Sequence, residues 1–285
     1  MEKTIDELYE YLQALKNRAG VYINYLDDAQ VKKVVNKNEL NIDQICAICE
    51  IRYWYNVVAM DNLKVIEKKD DASCDTTIET NLSFISKKGS EYGKSRNENL
   101  NEFDVNTYFL STHKVKSFNN ALLNIEEIKN KRQSQRILYI GARTEAELLA
   151  MSKFGFDVEN IKAIDLYTYS SMIEIGDMHN IPFENNSFDL VIMTHCIAYS
   201  EEPIKAFKEA IRVTDNGGHV MFSVSTIQGD KSNQINIPKT GANNRLTFEE
   251  YLSILNSLET VQQKTVFQDQ SNTMKIAIVK LKENK

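Results

Sequence analysis

The spacing of apolar residues changes at Arg136 and divides the chain into two parts. Before this point apolar residues recur every three or four positions, which is the period of an amphipathic helix. We therefore predict a mainly helical N-terminal region over residues 1–133, interrupted by a polar loop over 61–95 with one short ordered piece near 78–85. The helical stripes run through Ile5, Leu8, Tyr9, Leu12 and Leu15, through Ile42, Ile45, Ile48, Cys49, Tyr53 and Val57, and from Phe103 to Ile128.

Beyond Arg136 the apolar residues form short continuous runs, which are typical of strands buried on both faces of a parallel sheet. Helical segments alternate with these runs, and this order predicts βαβ units. We therefore expect residues 134–285 to form an α/β, Rossmann-like domain with a mostly parallel sheet. The predicted strands are R-I-L-Y-I, I-K-A-I-D-L, M-I-E-I, F-D-L-V-I-M, 219–225, 260–267 and 274–281, and the predicted helices are 145–154, 203–213 and 247–257.

The composition excludes several classes of function. The chain has 285 residues, of which 42% are hydrophobic and 26% are charged, and its net charge is -6. This balance argues against broad nucleic-acid binding, which depends on clustered Lys and Arg. No apolar run approaches the ~20 residues of a membrane span, and the N-terminus lacks the apolar core of a signal peptide. Four cysteines imply no disulfide framework, so we expect a cytoplasmic protein.

A turn with a single glycine, Gly141, follows the first predicted strand. In open parallel sheets, ligands bind outside the carboxyl ends of the strands, where the first βα turn lies. Glycine lets the chain turn sharply there and lets backbone N–H groups face a ligand. Thr144 and Glu147 have the spacing of a capping box, so we predict that the helix begins at Glu145. The alternative is a well-capped turn that binds nothing.

Asp165 ends the second predicted strand. An acidic side chain roughly 20 residues past a glycine turn is placed to accept hydrogen bonds from ribose hydroxyls. A carboxylate suits two vicinal hydroxyls because it offers two acceptor oxygens. We therefore predict a ribose contact at Asp165; the alternative is a surface cap of a helix or loop.

Four segments of the C-terminal part resemble the ordered motifs of a known family. They are I-L-Y-I-G-A-R-T-E-A-E-L, A-I-D-L, G-D-M-H-N-I-P-F-E-N-N-S-F-D-L-V-I-M and E-A-I-R-V-T-D-N-G-G-H-V-M-F. Together they resemble the class I S-adenosylmethionine-dependent methyltransferases, over roughly residues 136–225. The resemblance implies a Rossmann-like sheet of about seven strands and S-adenosyl-L-methionine as the cofactor.

The resemblance also implies which residues bind this cofactor. The segment 194–199, after the fourth strand, would border the methyl group, and His195 within it would contact the cofactor. The other positions implied are Gly141, Ala142, Arg143 and Glu145 for the methionine portion, Asp165 and Leu166 for the ribose, and Asp177 with the backbone of Met178 for the adenine amino edge.

The first turn departs from the family pattern, acidic-x-G-x-G-x-G. Those places hold Tyr139, Gly141, Arg143 and Glu145, so one glycine is kept and the acidic residue is lost. S-adenosylmethionine has no pyrophosphate to press against the backbone, so the later glycines are less necessary than in dinucleotide sites. We expect Arg143 to pair with the methionine carboxylate. Glu145 is expected either to meet the amino group or simply to favour the positive end of the helix. The alternative is an Arg143–Glu145 ion pair at the surface, which would contribute little.

A second departure is the short gap between Asp165 and Asp177. It leaves little room for a helix between the second and third strands. We therefore predict that Y-T-Y-S-S is a loop, with Tyr167 and Tyr169 lining the adenosine pocket.

His195 and Tyr199 are the catalytic candidates, because they follow the fourth strand, where catalytic groups of the resembled family often lie. Methyl transfer needs mainly alignment of the reacting atoms. A hydroxyl acceptor would benefit from a base, and a histidine near its reference pKa suits that role. The alternative is that His195 only packs against or caps the end of the strand.

Cys46 and Cys49 form a C-x-x-C pair in the N-terminal part, yet no second pair follows at the spacing of metal ligands. We predict buried core thiols and no metal site. Likewise, Tyr53, Trp54 and Tyr55 are expected to be core or interface residues rather than a stacking surface.

The leading hypothesis is methyl transfer from S-adenosylmethionine to a small molecule, a saccharide or a lipid-linked metabolite. The N-terminal region would provide acceptor specificity or a homodimer surface. The competing hypothesis is a catalytically silent methyltransferase-like binding or scaffold subunit, which the altered turn favours. An NAD-dependent enzyme is disfavoured, because the G-x-G-x-x-G turn is absent.

Overall fold

The computed structural model of the protein describes residues 40–53, 64–65, 105–200, 202–225, 246–258, 260–268 and 274–283. The helical stripe over 5–15 and the ordered piece near 78–85 lie outside these residues. Most of the predicted polar loop over 61–95 lies outside them as well.

The predicted α/β, Rossmann-like sheet is confirmed. The strands are β1 (Lys64–Val65), β2 (Ile137–Ile140), β3 (Ile161–Asp165), β4 (Tyr167–Thr168), β5 (Glu174–Ile175), β6 (Phe188–Thr194), β7 (Thr214–Ser225), β8 (Val261–Gln268) and β9 (Met274–Leu281). Seven of them form one sheet in the order β5-β3-β2-β6-β7-β9-β8. The first five in this order pair in parallel, and β9 pairs antiparallel with both β7 and β8.

Side chains of the central strands alternate between two cores, because successive residues of a strand point to opposite faces. Leu138 and Ile140 of β2 lie in one core, whereas Ile137 and Tyr139 lie in the other. Both faces of the sheet are therefore buried, which explains why the strands are continuous apolar runs in the sequence.

Helices cover both faces of this sheet. They are α1 (Ile42–Tyr53), α2 (Val105–Leu123), α3 (Glu126–Lys131), α4 (Ala146–Leu149), α5 (Pro203–Val213) and α6 (Phe248–Ser257). Phe207 of α5 and Tyr251 of α6 belong to the core of Leu138, and Phe118 of α2 belongs to the core of Ile137. None of the helices among the described residues is long and apolar enough to cross a membrane.

The predicted ends of two helices, α5 and α6, agree with the structure to within one residue. The bounds of α5 are those predicted, and a proline at its first turn fits the start of a helix. Thr247 caps α6 through a capping box with Glu250, whose amide lies 3.2 Å from the Thr247 hydroxyl.

Three predicted elements differ from the structure. The helix expected over 145–154 is split, since α4 is followed by a 3-10 helix, Ala150–Phe154, which ends at Gly155 with φ +86°. The expected loop after Asp165 contains β4, because it pairs with β1 from the N-terminal part. The strand expected over 219–225 begins earlier, because Thr214 already pairs with Phe188 of β6.

Helix α1 packs directly against the C-terminal part. One core contains apolar residues of α1 together with residues of α4 and the segments that follow it: Ile45, Cys46, Ile48, Cys49, Ala146, Leu149, Ala150 and Val158. The last turn of α1 therefore lies next to the turn between β2 and α4.

Candidate functional site

The strand order reverses at β2, which lies between β3 and β6. In such sheets a crevice opens at the carboxyl ends of the strands, where the connections leave in opposite directions. The segments that meet at this edge are the turn 141–145 and the ends of β3, β5 and β6. All the predicted site residues lie in these segments.

A glycine is required at position 141 by the local backbone conformation and by the closeness of Cys196. Its φ is +76°, and a Cβ placed there would lie 2.4 Å from Cβ of Cys196. Its amide donates to the carbonyl of Ile164 at 2.8 Å. This amide therefore extends the pairing between β2 and β3 instead of facing a ligand, which corrects the expectation for that N–H. The glycine is needed for the turn and for the close approach of the segment after β6.

The capping box predicted at the turn is present in a modified form. The amide and hydroxyl of Thr144 both donate to Oε2 of Glu147, at 3.3 and 3.0 Å. The Thr144 hydroxyl accepts the Ala146 amide at 3.3 Å. The helix begins at Ala146, one residue later than predicted, because Glu145 adopts the N-cap position.

Glu145 is fully buried and paired with the N-terminal part of the chain. Its Oε1 accepts hydrogen bonds from Nη2 and Nε of Arg52 at 3.0 and 3.2 Å, and the Tyr169 hydroxyl donates to its Oε2. The exposed fractions are 5% for Arg52 and 0% for Glu145. The alternative of a surface ion pair between Arg143 and Glu145 is therefore wrong, because Glu145 is not at the surface. The carboxylate expected to meet an amino group is instead engaged by Arg52 and Tyr169.

Arg143 is half-buried and lies among tyrosines. Its guanidinium carbon is 5.0 Å from the centre of the Tyr53 ring, within the range of a cation–π contact. Burial raises the pKa of the Tyr199 hydroxyl, and the positive charge of Arg143 opposes this rise. Burial is also the main cause that raises the pKa of Tyr167, and the charge of Arg143 again opposes the rise. Arg143 thus supplies positive charge at the crevice beside aromatic walls.

Asp165 is a half-buried carboxyl at the end of β3. Burial raises its pKa to about 7, and the backbone amides of Tyr167 and Leu166 oppose this rise. Its Oδ1 accepts the Tyr167 amide at 3.3 Å. Burial disfavours the charged form, so this carboxylate gains from any hydroxyl that donates a hydrogen bond to it. This environment fits the ribose contact that the sequence predicts.

Asp177 and Met178 lie in the turn after β5, and both are buried. Oδ1 of Asp177 accepts the His179 amide at 2.9 Å and lies 2.7 Å from its Nδ1. On the other side of the ring, Nε2 lies 2.7 Å from the Ser200 hydroxyl. His179 therefore links this turn to the segment after β6, a role for Asp177 that sequence reasoning did not find.

His195 immediately follows β6 in a strained conformation. Its φ is +58°, a region that residues other than glycine rarely occupy. Its amide lies 3.2 Å from the carbonyl and 3.1 Å from the hydroxyl of Ser223, which hold this backbone in place. The ring lies 5.6 Å from that of Phe118, and Nε2 lies 3.1 Å from the sulfur of Met274. Strain of this kind is concentrated at functional sites.

Tyr139 occupies the place of the missing acidic residue. It is buried, and its hydroxyl lies 2.5 Å from that of Thr194, which joins the ends of β2 and β6. Burial raises its pKa well above the ordinary value, and the charge of Glu147 adds to this rise. The tyrosine is therefore neutral and structural, and Glu147 supplies a negative charge near it.

The two C-x-x-C thiols are buried, as predicted, in the core that α1 shares with α4. Burial raises the pKa of the Cys49 thiol well above its ordinary value, and the charge of Glu145 adds to this rise. A thiol that keeps its proton is a poor nucleophile.

The segments just described also match the sequence model of a known family. The sequence model of the methyltransferase domain family matches residues 138–222, which span the strands β2 to β7 and the segments that form the crevice. This part of the chain is therefore similar to the methyltransferase domain family. None of the curated proteins compared with the chain matches its sequence.

Solved structures of similar fold have low sequence identity to the chain. An S-adenosylmethionine-dependent methyltransferase from Thermotoga maritima is 14% identical, with a TM-score of 0.47 over 70% of this chain and 98% of that one. A phosphoethanolamine N-methyltransferase from Haemonchus contortus, solved with S-adenosylhomocysteine, is 15% identical, with a TM-score of 0.45 over 64% and 59%. The [4+2]-cyclase SpnF is 14% identical, with a TM-score of 0.46 over 61% and 82%. At identities and TM-scores this low, these matches say nothing about the reaction of this chain.

Arg52 is the residue of this region that sequence reasoning missed. A signal was available, because Arg52 falls on the same helical stripe as Ile45, Ile48 and Cys49. A charged residue on a stripe that packs into a core needs a buried partner. The sequence gives no indication that this partner is Glu145, which lies 93 residues further along the chain.

Proposed function

We propose that the protein transfers a methyl group from S-adenosyl-L-methionine to a small-molecule, saccharide or lipid-linked acceptor. The observation that carries this proposal is the half-buried carboxyl of Asp165, which ends β3 beside the switch point of the sheet. It lies within the segment that matches the methyltransferase domain family.

The residues proposed to hold the cofactor differ in the chemistry that they offer. Asp165, beside Leu166, accepts hydrogen bonds from the ribose hydroxyls. Arg143 pairs with the carboxylate of the methionine portion, since a guanidinium can form two parallel hydrogen bonds with it. Glu145, paired with Arg52, shapes the turn rather than contacting the amino group.

The remaining positions form the walls of the pocket. Gly141 and Ala142 allow close approach of the backbone at the turn. Asp177 and Met178 are proposed to lie along the adenine, with Asp177 held in place through His179. The support for this assignment is that these residues occupy one edge of the sheet.

When bound, S-adenosylmethionine supplies the methyl group on a positively charged sulfur. The chain's own contribution is to align the acceptor and to exclude water. His195 is proposed as the base for a hydroxyl acceptor, because its strained backbone is held by Ser223 at the carboxyl end of β6. Burial raises the pKa of Tyr199, so its hydroxyl keeps its proton at neutral pH and orients the acceptor by hydrogen bonding.

Titration calorimetry with S-adenosylmethionine and with S-adenosylhomocysteine tests the proposal. We expect saturable binding of both, weakened by about tenfold or more in Arg143→Met, which loses a charge-assisted pair. Mass spectrometry of the protein as purified provides a second test, since a bound adenosyl compound can remain attached. The absence of binding at millimolar ligand would refute the enzymatic function.

The acceptor class is tested separately with methyl-labelled cofactor. Polar metabolites, saccharides and lipid extracts are incubated with the protein, and label is followed into each fraction. Transfer into any one fraction identifies the acceptor class. The N-terminal region, residues 1–133, is proposed to contribute acceptor specificity or a homodimer surface. Light scattering of the whole protein measures its oligomeric state and tests the homodimer surface.

A second candidate function is a catalytically silent methyltransferase-like binding or scaffold subunit. The observations that favour it are the replacement of the acidic residue by Tyr139 and the burial of Glu145 against Arg52. Calorimetry separates the two candidates, because a silent subunit with this turn gives no heat with either adenosyl compound.

A further inference from the structure

Two consecutive residues at the end of α1 contact the two charged residues of the turn after β2. Arg52 donates two hydrogen bonds to Glu145, and the ring of Tyr53 lies under the guanidinium of Arg143. The family pattern places glycines at positions 143 and 145. In this chain both positions carry charged side chains, and both are held from outside the turn.

The contact between Arg52 and Glu145 is buried from water. Each charge is costly to bury alone, and removing either partner leaves the other without compensation. The carboxylate therefore holds α1 and the turn in one relative position. A geometry with two donors from a single guanidinium fixes direction as well as distance.

The same carboxylate extends the contact to the ribose side of the crevice. The Tyr169 hydroxyl donates to Glu145, and Tyr169 lies in the connection between β3 and β5. The Tyr169 ring also packs edge-on against that of Tyr53, with 5.8 Å between centres. Glu145 thus joins three segments: the last turn of α1, the turn after β2, and the connection after Asp165.

We propose that Arg52 and Tyr53, here called the α1 clamp, are positioning residues that set the shape of the cofactor turn and thereby cofactor affinity. A glycine-rich turn is shaped by its own backbone, whereas this turn keeps one glycine and relies on side-chain contacts with α1. The inference rests on the proposed function for its link to the cofactor. The contacts that form the clamp do not depend on it.

This arrangement couples the N-terminal region to the cofactor. A ligand or acceptor that shifts α1 changes the affinity of the turn for the cofactor, and cofactor binding changes the affinity for that ligand by the same factor. In this way α1 acts on the cofactor site through the turn.

Hydrogen exchange in the ligand-free protein tests the clamp itself. The amides of Leu148 and Leu149 donate to the carbonyl of Glu145, so their exchange reports on the turn. In Arg52→Met we expect these two amides to exchange at least about tenfold faster than in the wild type. Amides of α5, on the opposite face of the sheet, should exchange at unchanged rates.

Calorimetry with S-adenosylhomocysteine tests the link to the cofactor. We expect the dissociation constant to rise by about tenfold or more in Arg52→Met. The matched control is Lys116→Met, which removes an exposed ion pair between α2 and Asp43 of α1 and does not touch the turn. This control should keep the wild-type dissociation constant.

If Arg52→Met does not fold, the double variant Arg52→Met/Glu145→Met replaces it, because removing both charges leaves neither one buried alone. We expect the double variant to melt near the wild-type temperature but to bind S-adenosylhomocysteine more weakly. A role in folding alone would leave that affinity unchanged.

Each outcome supports or overturns the inference. Faster exchange at Leu148 and Leu149 together with weaker binding supports the clamp. A folded variant that binds as tightly as the wild type overturns the clamp and leaves the proposed function intact. A wild-type protein that binds no adenosyl compound overturns the proposed function and, with it, the link from the clamp to the cofactor.

Discussion

Replacing Asp165 with asparagine should stabilise the free protein near neutral pH while weakening cofactor binding. Burial raises the pKa of this carboxyl from 3.8 to about 7. Between these two values the folded protein keeps the proton that the unfolded chain has lost. The stability of the wild type should therefore fall as the pH rises from about 4 to about 7.

The expected size follows from the pKa difference. A rise from 3.8 to about 7 is roughly 3 units, and each unit corresponds to about 1.4 kcal/mol, which gives an upper limit of about 4 kcal/mol. Asp165 is partly open to water, and solvent screening reduces this cost to about 1–3 kcal/mol. An asparagine side chain does not titrate, so the free-energy gain of Asp165→Asn should be absent near pH 4 and complete above pH 7.

Urea denaturation at a series of pH values from 4 to 8 measures this gain, and calorimetry with S-adenosylhomocysteine measures the accompanying loss of affinity. We expect the dissociation constant to rise by about tenfold or more, because hydrogen bonds to a charged acceptor are worth about 1.5–3 kcal/mol each. The control is Glu174→Gln at the start of β5, which removes an exposed charge and should keep the wild-type pH profile.

Two results would contradict this reasoning. Parallel pH profiles for the wild type and Asp165→Asn would show that the carboxyl is not destabilised by burial. A stabilised variant with unchanged affinity would confirm the burial but remove Asp165 from the ribose contact.

Three further predictions concern other parts of the fold. Gly141→Ala should destabilise the protein by about 1–3 kcal/mol in thermal unfolding, because its φ is positive and the added Cβ meets Cys196; wild-type stability would contradict this. His195→Ala should lower the rate of labelled methyl transfer to a hydroxyl acceptor by about 10²–10⁴-fold with unchanged cofactor affinity; an unaltered rate would make His195 structural. Thr247→Ala should cost about 1 kcal/mol in urea unfolding by removing the cap of α6, with cofactor binding unaffected; a loss of binding would reveal an unexpected role for α6.

The sequence by itself determined the architecture of the C-terminal part. Strands buried on both faces are continuous apolar runs, and this property is local enough to locate β2, β3, β6 and β9 within a residue or two. Helix α6 could be placed by its cap, since Thr247 and Glu250 interact within one turn. Gly141 and Asp165 could be assigned to one edge because parallel strands end there together.

Only the tertiary structure decided what surrounds the charged residues of the turn. Glu145 pairs with Arg52, 93 residues away in the sequence, and no local pattern links two residues so far apart. The sequence allowed Glu145 to face the cofactor or to lie at the surface, yet packing of α1 buried it. Strand β4 was missed for the same reason, because its partner β1 comes from the N-terminal part.

The physical reason for this division is the range of the interactions. Periodicity, caps and strand ends follow from neighbours within a few residues, which the sequence states directly. The partner of a buried charge depends on which distant segments pack together, and so does the pKa of a carboxyl such as Asp165. The fold was therefore determined by the sequence pattern, whereas the electrostatics of the site were decided by how α1 and the other distant segments pack around it.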